Sequence, residues 1–146
     1  MGKRRKARES TLQILFQLEF NDSELEKAFE SFWRERKASK EIKEYSRWLV
    51  EGIKSHRERI DRLIQSVSEN WRVARMAIVD RNVLRIAVFE LLYEENIAPA
   101  IVINEAIEIT KKYSSEEAAT FVNGILDAAR KKIEEMKKLP KEEKND

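Results

Sequence analysis

The chain of 146 residues is long enough for one compact domain, or for two small helical halves sharing a core, and too short for a catalytic domain joined to a separate binding domain. Its 42% hydrophobic content argues against disorder of the whole chain, while 3 Gly and 2 Pro leave too little turn chemistry for a sandwich or barrel of short strands, so a mostly helical fold is expected. With 0 Cys and 1 His there is no thiolate ligand, disulfide or cysteine nucleophile and little basis for a histidine metal site; neither a cofactor nor a metal is expected, and the composition suits a cytoplasmic protein.

The net charge of +2 conceals an uneven distribution, because Lys3, Arg4, Arg5, Lys6 and Arg8 place five cations before the first acid and leave the remainder of the chain net negative. Residues 1–8 therefore read as a basic N-terminal arm leading into the first helix. Gln13, Gln17 and Glu19 interrupt the apolar residues from Leu12 onward, so the segment is not a secretory signal, and no apolar run approaches the roughly 20 residues of a membrane span.

Helical periodicity predicts a first helix over about residues 5–20, with Ala7, Thr11, Ile14, Leu15 and Leu18 inward and Leu12 and Phe16 widening the stripe. Asn21 and Asp22 end it. Ser23 and Glu26 have the spacing of a capping box, opening a second helix to about Arg36. From Ile42 the apolar positions Tyr45, Leu49, Gly52 or Ile53, His56, Ile60, Leu63 and Val67 continue in steps of three and four, which predicts one long helix with His56 on its apolar stripe.

Residues Ile78 to Tyr93 are apolar on nearly every side, which predicts a buried central helix. Pro99 fits the first turn of the next helix, whose inward stripe is Val102, Ile103, Ala106, Ile107, Thr110 and Tyr113. Ser114 and Glu117 suggest a second capping box, before a last helix with Ala118, Val122, Ile125, Ala129, Ile133 and Met136 inward. The expected organisation is thus the arm, a single helical domain over 9–136 and a charged, frayed tail over 137–146.

No catalytic constellation is visible: there is no glycine-rich phosphate loop, no Gly-x-Ser-x-Gly elbow and no carboxylate–histidine set at ligand spacing. Trp33, Trp48 and Trp71 are too dispersed in sequence to define a stacking platform, and packing explains them better. The arm alone points to chemistry. Its cations can track a phosphate backbone, and arginine can also fork to phosphate or stack on a base; a solvated tail is the competing reading.

Four runs, RRKARESTLQILFQLEF from Arg4, DRNVLRIAVFEL from Asp80, IVINEAIEITKKY from Ile101 and FVNGILD from Phe121, together resemble the NusB family of bacterial transcription antitermination factors over residues 4–133. The resemblance implies an all-α fold of about six to seven helices in two packed halves and a non-enzymatic role. It further implies binding of single-stranded boxA RNA in ribosomal RNA leader transcripts, together with the ribosomal protein NusE, within the RNA polymerase antitermination complex.

Carried onto this sequence, the resemblance implies RNA contacts from Lys3, Arg4, Arg5, Lys6 and Arg8, and from Phe121 and Asn123 of the FVNG run. Phe121 has stacking on an unpaired base and core packing as its two readings. The implied partner surface comprises Phe16, Phe20, Asp80 and Arg81; core packing competes at Phe16, and complementing the helix dipole competes at Asp80. A homodimer through exposed apolar residues of the first helix, a helical adaptor without specific RNA binding and a duplex-DNA binder stay open. A related domain precedes the catalytic part of certain ribosomal RNA cytosine methyltransferases, but this chain has no cysteine nucleophile, so that reading is set aside.

Overall fold

The computed structural model describes residues 2–21 and 24–139. Seven α-helices and one short 3-10 turn make up the regular structure among the described residues: α1 (Gly2–Phe20), α2 (Leu25–Trp33), α3 (Lys40–Ser55), α4 (Arg57–Val67), the turn Val73–Arg75, α5 (Ile78–Tyr93), α6 (Pro99–Tyr113) and α7 (Glu116–Lys137). α1 packs on α2 and α3, α4 to α7 pack among themselves, and α5 touches both groups, so two helical halves close around one central helix.

The near absence of a wet face on α5 has the expected outcome. Eleven of its residues are buried, including the apolar Val83, Leu84, Ile86, Ala87, Val88, Phe89 and Leu91 and the polar Asp80, Asn82, Arg85 and Glu90. Truncating a fully buried side chain such as Leu84 is expected to cost about 2–5 kcal/mol. Buried charge requires partners. Arg85 accordingly donates to both carboxylate oxygens of Asp61 at 2.8 and 3.0 Å, to Glu19 at 3.1 Å and to Asn82 Oδ1 at 3.0 Å.

The long helix expected from Ile42 to Val67 is two helices. α3 ends at His56, whose N–H bonds the Gly52 carbonyl, and the His56 carbonyl already accepts from Ile60 as α4 begins. A straight helix of this length would span about 40 Å and overrun a small core; the bend lets Ile53 and the trio Ile60, Leu63 and Ile64 all reach it. Only one residue leaves the helix, so the three-and-four spacing persists across the break and conceals it. His56 is exposed rather than on the buried stripe, stacked on Tyr93 with ring centroids 4.7 Å apart.

Helix ends differ in detail. Residues 2–8 form the first turns of α1 rather than an arm leading into it. Ser23 lies outside the described residues; α2 starts after Glu24 without a side-chain cap and ends at Trp33, short of Arg36, and Glu26 turns to Arg47. Ser39 caps α3 by accepting the Ile42 N–H at 3.3 Å. The cap of α7 is Ser115, accepting from Ala118 at 3.0 Å, whereas Ser114 closes α6 through its own N–H to the Thr110 carbonyl. Two adjacent serines serve two helices, and the spacing rule alone selects the wrong one. Of the expected tail, residues 140–146 lie outside the described residues.

Candidate nucleic-acid interface

α1 carries its five N-terminal cations around a helical turn, and the helix sorts them by direction. A rotation of 100° per residue turns Ala7, Arg8 and Thr11 toward the core and Lys3 and Lys6 toward solvent. Arg8 is 3% exposed; it donates from Nε and Nη2 to the two oxygens of Glu90 at 2.8 and 2.9 Å, and from Nη1 to Glu105 at 3.3 Å. Arg5 donates from Nε to Glu105 at 2.8 Å, and its Nη2 reaches the other Glu105 oxygen. Tyr45 completes the cluster with a hydroxyl bond to Glu90.

The electrostatics of this cluster are those of two buried carboxylates matched to a buried Arg8 and a partly exposed Arg5. The Arg5 hydrogen bond holds the Glu105 carboxyl below the usual carboxylate range, and burial beside Glu90 pushes the Tyr45 phenol up. Arg8 is thus an internal ion rather than a phosphate contact, and Arg5 is largely committed in the same way. Burial of a long cationic side chain in a basic run leaves no mark in composition; the matching acids lie 82 and 97 residues away.

Three cations of the run remain outward. Lys3 makes an exposed pair with Glu41 at 3.3 Å, a contact of little strength in water, and Lys6 is exposed with no ion pair among the described residues. The Arg4 guanidinium lies over the Tyr45 ring, 3.7 Å from its centroid, and 3.9 Å from Glu94. Glu9, one turn further along, is held by Lys112 at 3.0 Å and by the Tyr113 hydroxyl at 2.9 Å, which fixes α1 against the end of α6.

Phe121 and Asn123 sit two turns or fewer from the start of α7. Val122 between them is fully buried, Asn123 and Gly124 are exposed, and Phe121 is half-buried against the core. Its ring meets Trp71 edge to face, with centroids 6.0 Å apart at 78°. Trp71 is 57% exposed. The Gln65 amide and the Ser68 hydroxyl hold it in place by donating to its carbonyl at 2.9 and 3.2 Å. Packing was the expectation for Trp71; the fold instead sets it in solvent beside Phe121, a juxtaposition hidden by a separation of 50 positions along the chain.

At its other end α1 exposes an aromatic pair, Phe16 at 41% and Phe20 at 69%, with ring centroids 5.0 Å apart. Glu19, on the same turn, accepts from Arg81 at 3.1 and 2.8 Å, and Arg81 also donates to the carbonyls of Ala74 and Met76. The Arg81 hydrogen bonds, with Arg85 adding to them against a cost of burial, lower the Glu19 carboxyl to about 2. Asp80 is 8% exposed in the first turn of α5, where its charge suits the helix dipole. Arg81 therefore braces the surface on which Phe16 and Phe20 stand, and neither it nor Asp80 projects from it.

Among the described residues no cluster of His, Asp or Glu is arranged to hold a metal ion, and no helix is long and apolar enough to cross a membrane. What the geometry offers is a helical binding protein: one helix with outward cations at its first turns and bare aromatic rings at its last. The family model of the NusB family matches residues 5–131, and the chain belongs to that family, whose members are non-enzymatic transcription antitermination factors.

Individual relatives agree. The chain is 46% identical over 133 residues to the transcription antitermination protein NusB of Syntrophus aciditrophicus, covering 91% of this chain and 83% of that protein. It is also 46% identical over 131 residues to NusB of Myxococcus xanthus, covering 87% and 94%. Among solved structures, NusB of T. maritima superposes with a TM-score of 0.82 at 43% identity, over 88% of this chain and 90% of that one. A chain from a complex of the antitermination factors NusB and NusE with double-stranded RNA superposes with a TM-score of 0.80 at 30% identity, over 90% and 98%.

Proposed function

We propose that the protein is an RNA-binding antitermination factor that binds boxA RNA of ribosomal RNA leader transcripts jointly with the ribosomal protein NusE, in the cytoplasm, as part of the RNA polymerase antitermination complex. The observation that carries this reading is the division of labour along α1, cations outward at one end and an aromatic pair bare at the other, in a chain similar to a NusB solved with NusE and RNA. Lys3, Arg4 and Lys6 attract phosphates, with Arg5 held beside them by Glu105. Phe121 and Trp71 offer ring faces to unpaired bases, and Asn123 offers an amide to a base edge.

Phe16 and Phe20 form the apolar centre of the partner surface, and Arg81 supports it through Glu19. Binding of single-stranded boxA RNA, a scrambled RNA of equal length, the corresponding RNA duplex and duplex DNA, each with and without the ribosomal protein, tests the proposal. The expected order places single-stranded boxA first, with a gain in affinity when the partner is added. Equal binding of all four nucleic acids, or none, overturns it in favour of a protein–protein adaptor.

A further inference from the structure

A run of aromatic rings lies on the side of the molecule formed by α3, the start of α4 and the end of α5. Tyr45 and Trp48 have centroids 5.4 Å apart, Trp48 and Phe89 4.8 Å, Phe89 and Tyr93 4.9 Å, and Tyr93 and His56 4.7 Å. A guanidinium stands at each end: Arg4 over Tyr45 at 3.7 Å, and Arg59 5.6 Å from the Tyr93 centroid with Nη1 donating to the Tyr93 hydroxyl at 2.7 Å. Phe89 forms the floor and is 3% exposed, whereas Trp48 is 37% exposed and His56 is exposed. The rings border a shallow groove of about 410 Å³.

Gly52 makes this arrangement possible. A Cβ at that position would overlap the Phe89 ring, so the absence of a side chain lets Phe89 lie against α3 and join Trp48 to Tyr93. Each of these acids along the rim has a cation beside it: Glu41 has Lys3 at 3.3 Å, Glu44 has Lys40 at 3.6 Å, Glu51 has Arg47 at 3.0 Å and Glu94 has Arg4 at 3.9 Å. Arg59 has no carboxylate partner among the described residues. Planar faces spaced between guanidinium groups are the features of a surface for single-stranded nucleic acid, in which bases stack on rings and cations follow the phosphates.

We infer that this aromatic run is a second RNA-binding surface that takes unpaired nucleotides flanking the boxA core, entering past Arg4 and stacking on Trp48 and on the His56–Tyr93 pair. The inference rests on the RNA-binding reading above, because Arg4 belongs to both surfaces. Its selectivity is for strandedness and not for sequence, since every base has a face to stack.

The test measures affinity for the boxA core RNA alone and for the same RNA carrying six unpaired uridines on its 5′ or its 3′ end. One extension is expected to tighten binding by about five- to tenfold, a single stacked base being sufficient for that. Trp48→Ala is expected to abolish the gain while leaving the core affinity unchanged, and Trp48→Phe to retain most of it. If thermal melting shows that Trp48→Ala does not fold, His56→Ala and Arg59→Gln answer the same question from the far end of the run. Core RNA that binds with no gain from either extension, or a gain that survives these variants, overturns the inference alone; failure to bind core RNA at all overturns the RNA-binding reading and this surface with it. Extension-independent capture of an aromatic peptide at Trp48 would assign the groove to a protein ligand.

Discussion

Arg8 and Glu90 face each other as a two-pronged ion pair with side chains 3% and 1% exposed, joining the second turn of α1 to the last turn of α5. Removing one member of such a pair leaves the other charge buried without compensation, and the loss is large even where the intact pair adds little to stability. Arg8→Ala is expected to destabilise the fold by about 3–5 kcal/mol in urea unfolding. A change under about 1 kcal/mol would return Arg8 to the surface and to the RNA.

The outward cations behave differently. Replacing Lys3, Arg4 and Lys6 together by Ala should leave the melting temperature nearly unchanged and weaken RNA binding. It should also reduce the slope of log K against log salt by about 2, on the order of 0.7 for each phosphate contact to a single strand. Deleting residues 1–8 would not isolate this effect, because it also removes the Arg5 and Arg8 pairs that fasten α1.

Glu19 links folding to acid. Its carboxyl titrates near 2 in the folded protein, below its ordinary value of 4.5, so the unfolded chain binds the proton more tightly. The stabilisation is complete above about 4.5 and is lost as the pH falls through about 2. Glu19→Gln should lower stability at neutral pH and flatten the dependence of stability on pH between those limits; parallel pH profiles for the two proteins would show that Arg81 and Arg85 do not distinguish the charged form.

Phe121 is half-buried, so Phe121→Ala should cost less stability than the roughly 3–5 kcal/mol of a fully buried ring. RNA affinity should fall by about 1–3 kcal/mol, and Trp71→Ala should reproduce the affinity loss with a smaller effect on folding because that ring is more exposed. Melts and RNA titrations of both variants, read together, decide the assignment: wild-type affinity in folded Phe121→Ala removes the ring from the interface.

Phe20→Ala, at an exposed position, is expected to change stability by no more than about 0.5 kcal/mol while weakening capture of the ribosomal protein. Asp80→Lys is a poorer probe of docking, since it puts a lysine where the carboxylate is 8% exposed and would be read first as a loss of stability. Unchanged partner affinity in the Phe20 variant would move the docking site elsewhere.

Periodicity was sufficient for α5, whose ends at Ile78 and Tyr93 match the apolar run, and for Pro99 as the opening of α6, because burial on all sides and the chemistry of proline are local properties. It failed at His56, where a one-residue bend keeps the apolar spacing, and at Ser114 and Ser115, where two caps stand side by side. The candidate interface was legible in part: the basic run and the FVNG segment mark its two patches. The inward turn of Arg8, the burial of Asp80 and the pairing of Trp71 with Phe121 depend on partners far along the chain, and charge or hydropathy at one position carries no information about them.

α1 is continuous for 19 residues, from the outward lysines to Phe20, a length of about 28 Å. Clamped by Glu90 and Glu105 near one end, by Lys112 and Tyr113 in the middle and by Arg81 near the other, it acts as a rigid ruler. A nucleic acid held at one end and a protein held at the other are kept at a set spacing and a set angular phase. Inserting a single residue at the exposed position Gln17 would rotate Phe20 by about 100° relative to Phe16 and the cations, so the first turns would still meet the nucleic acid while the aromatic pair at the far end came apart.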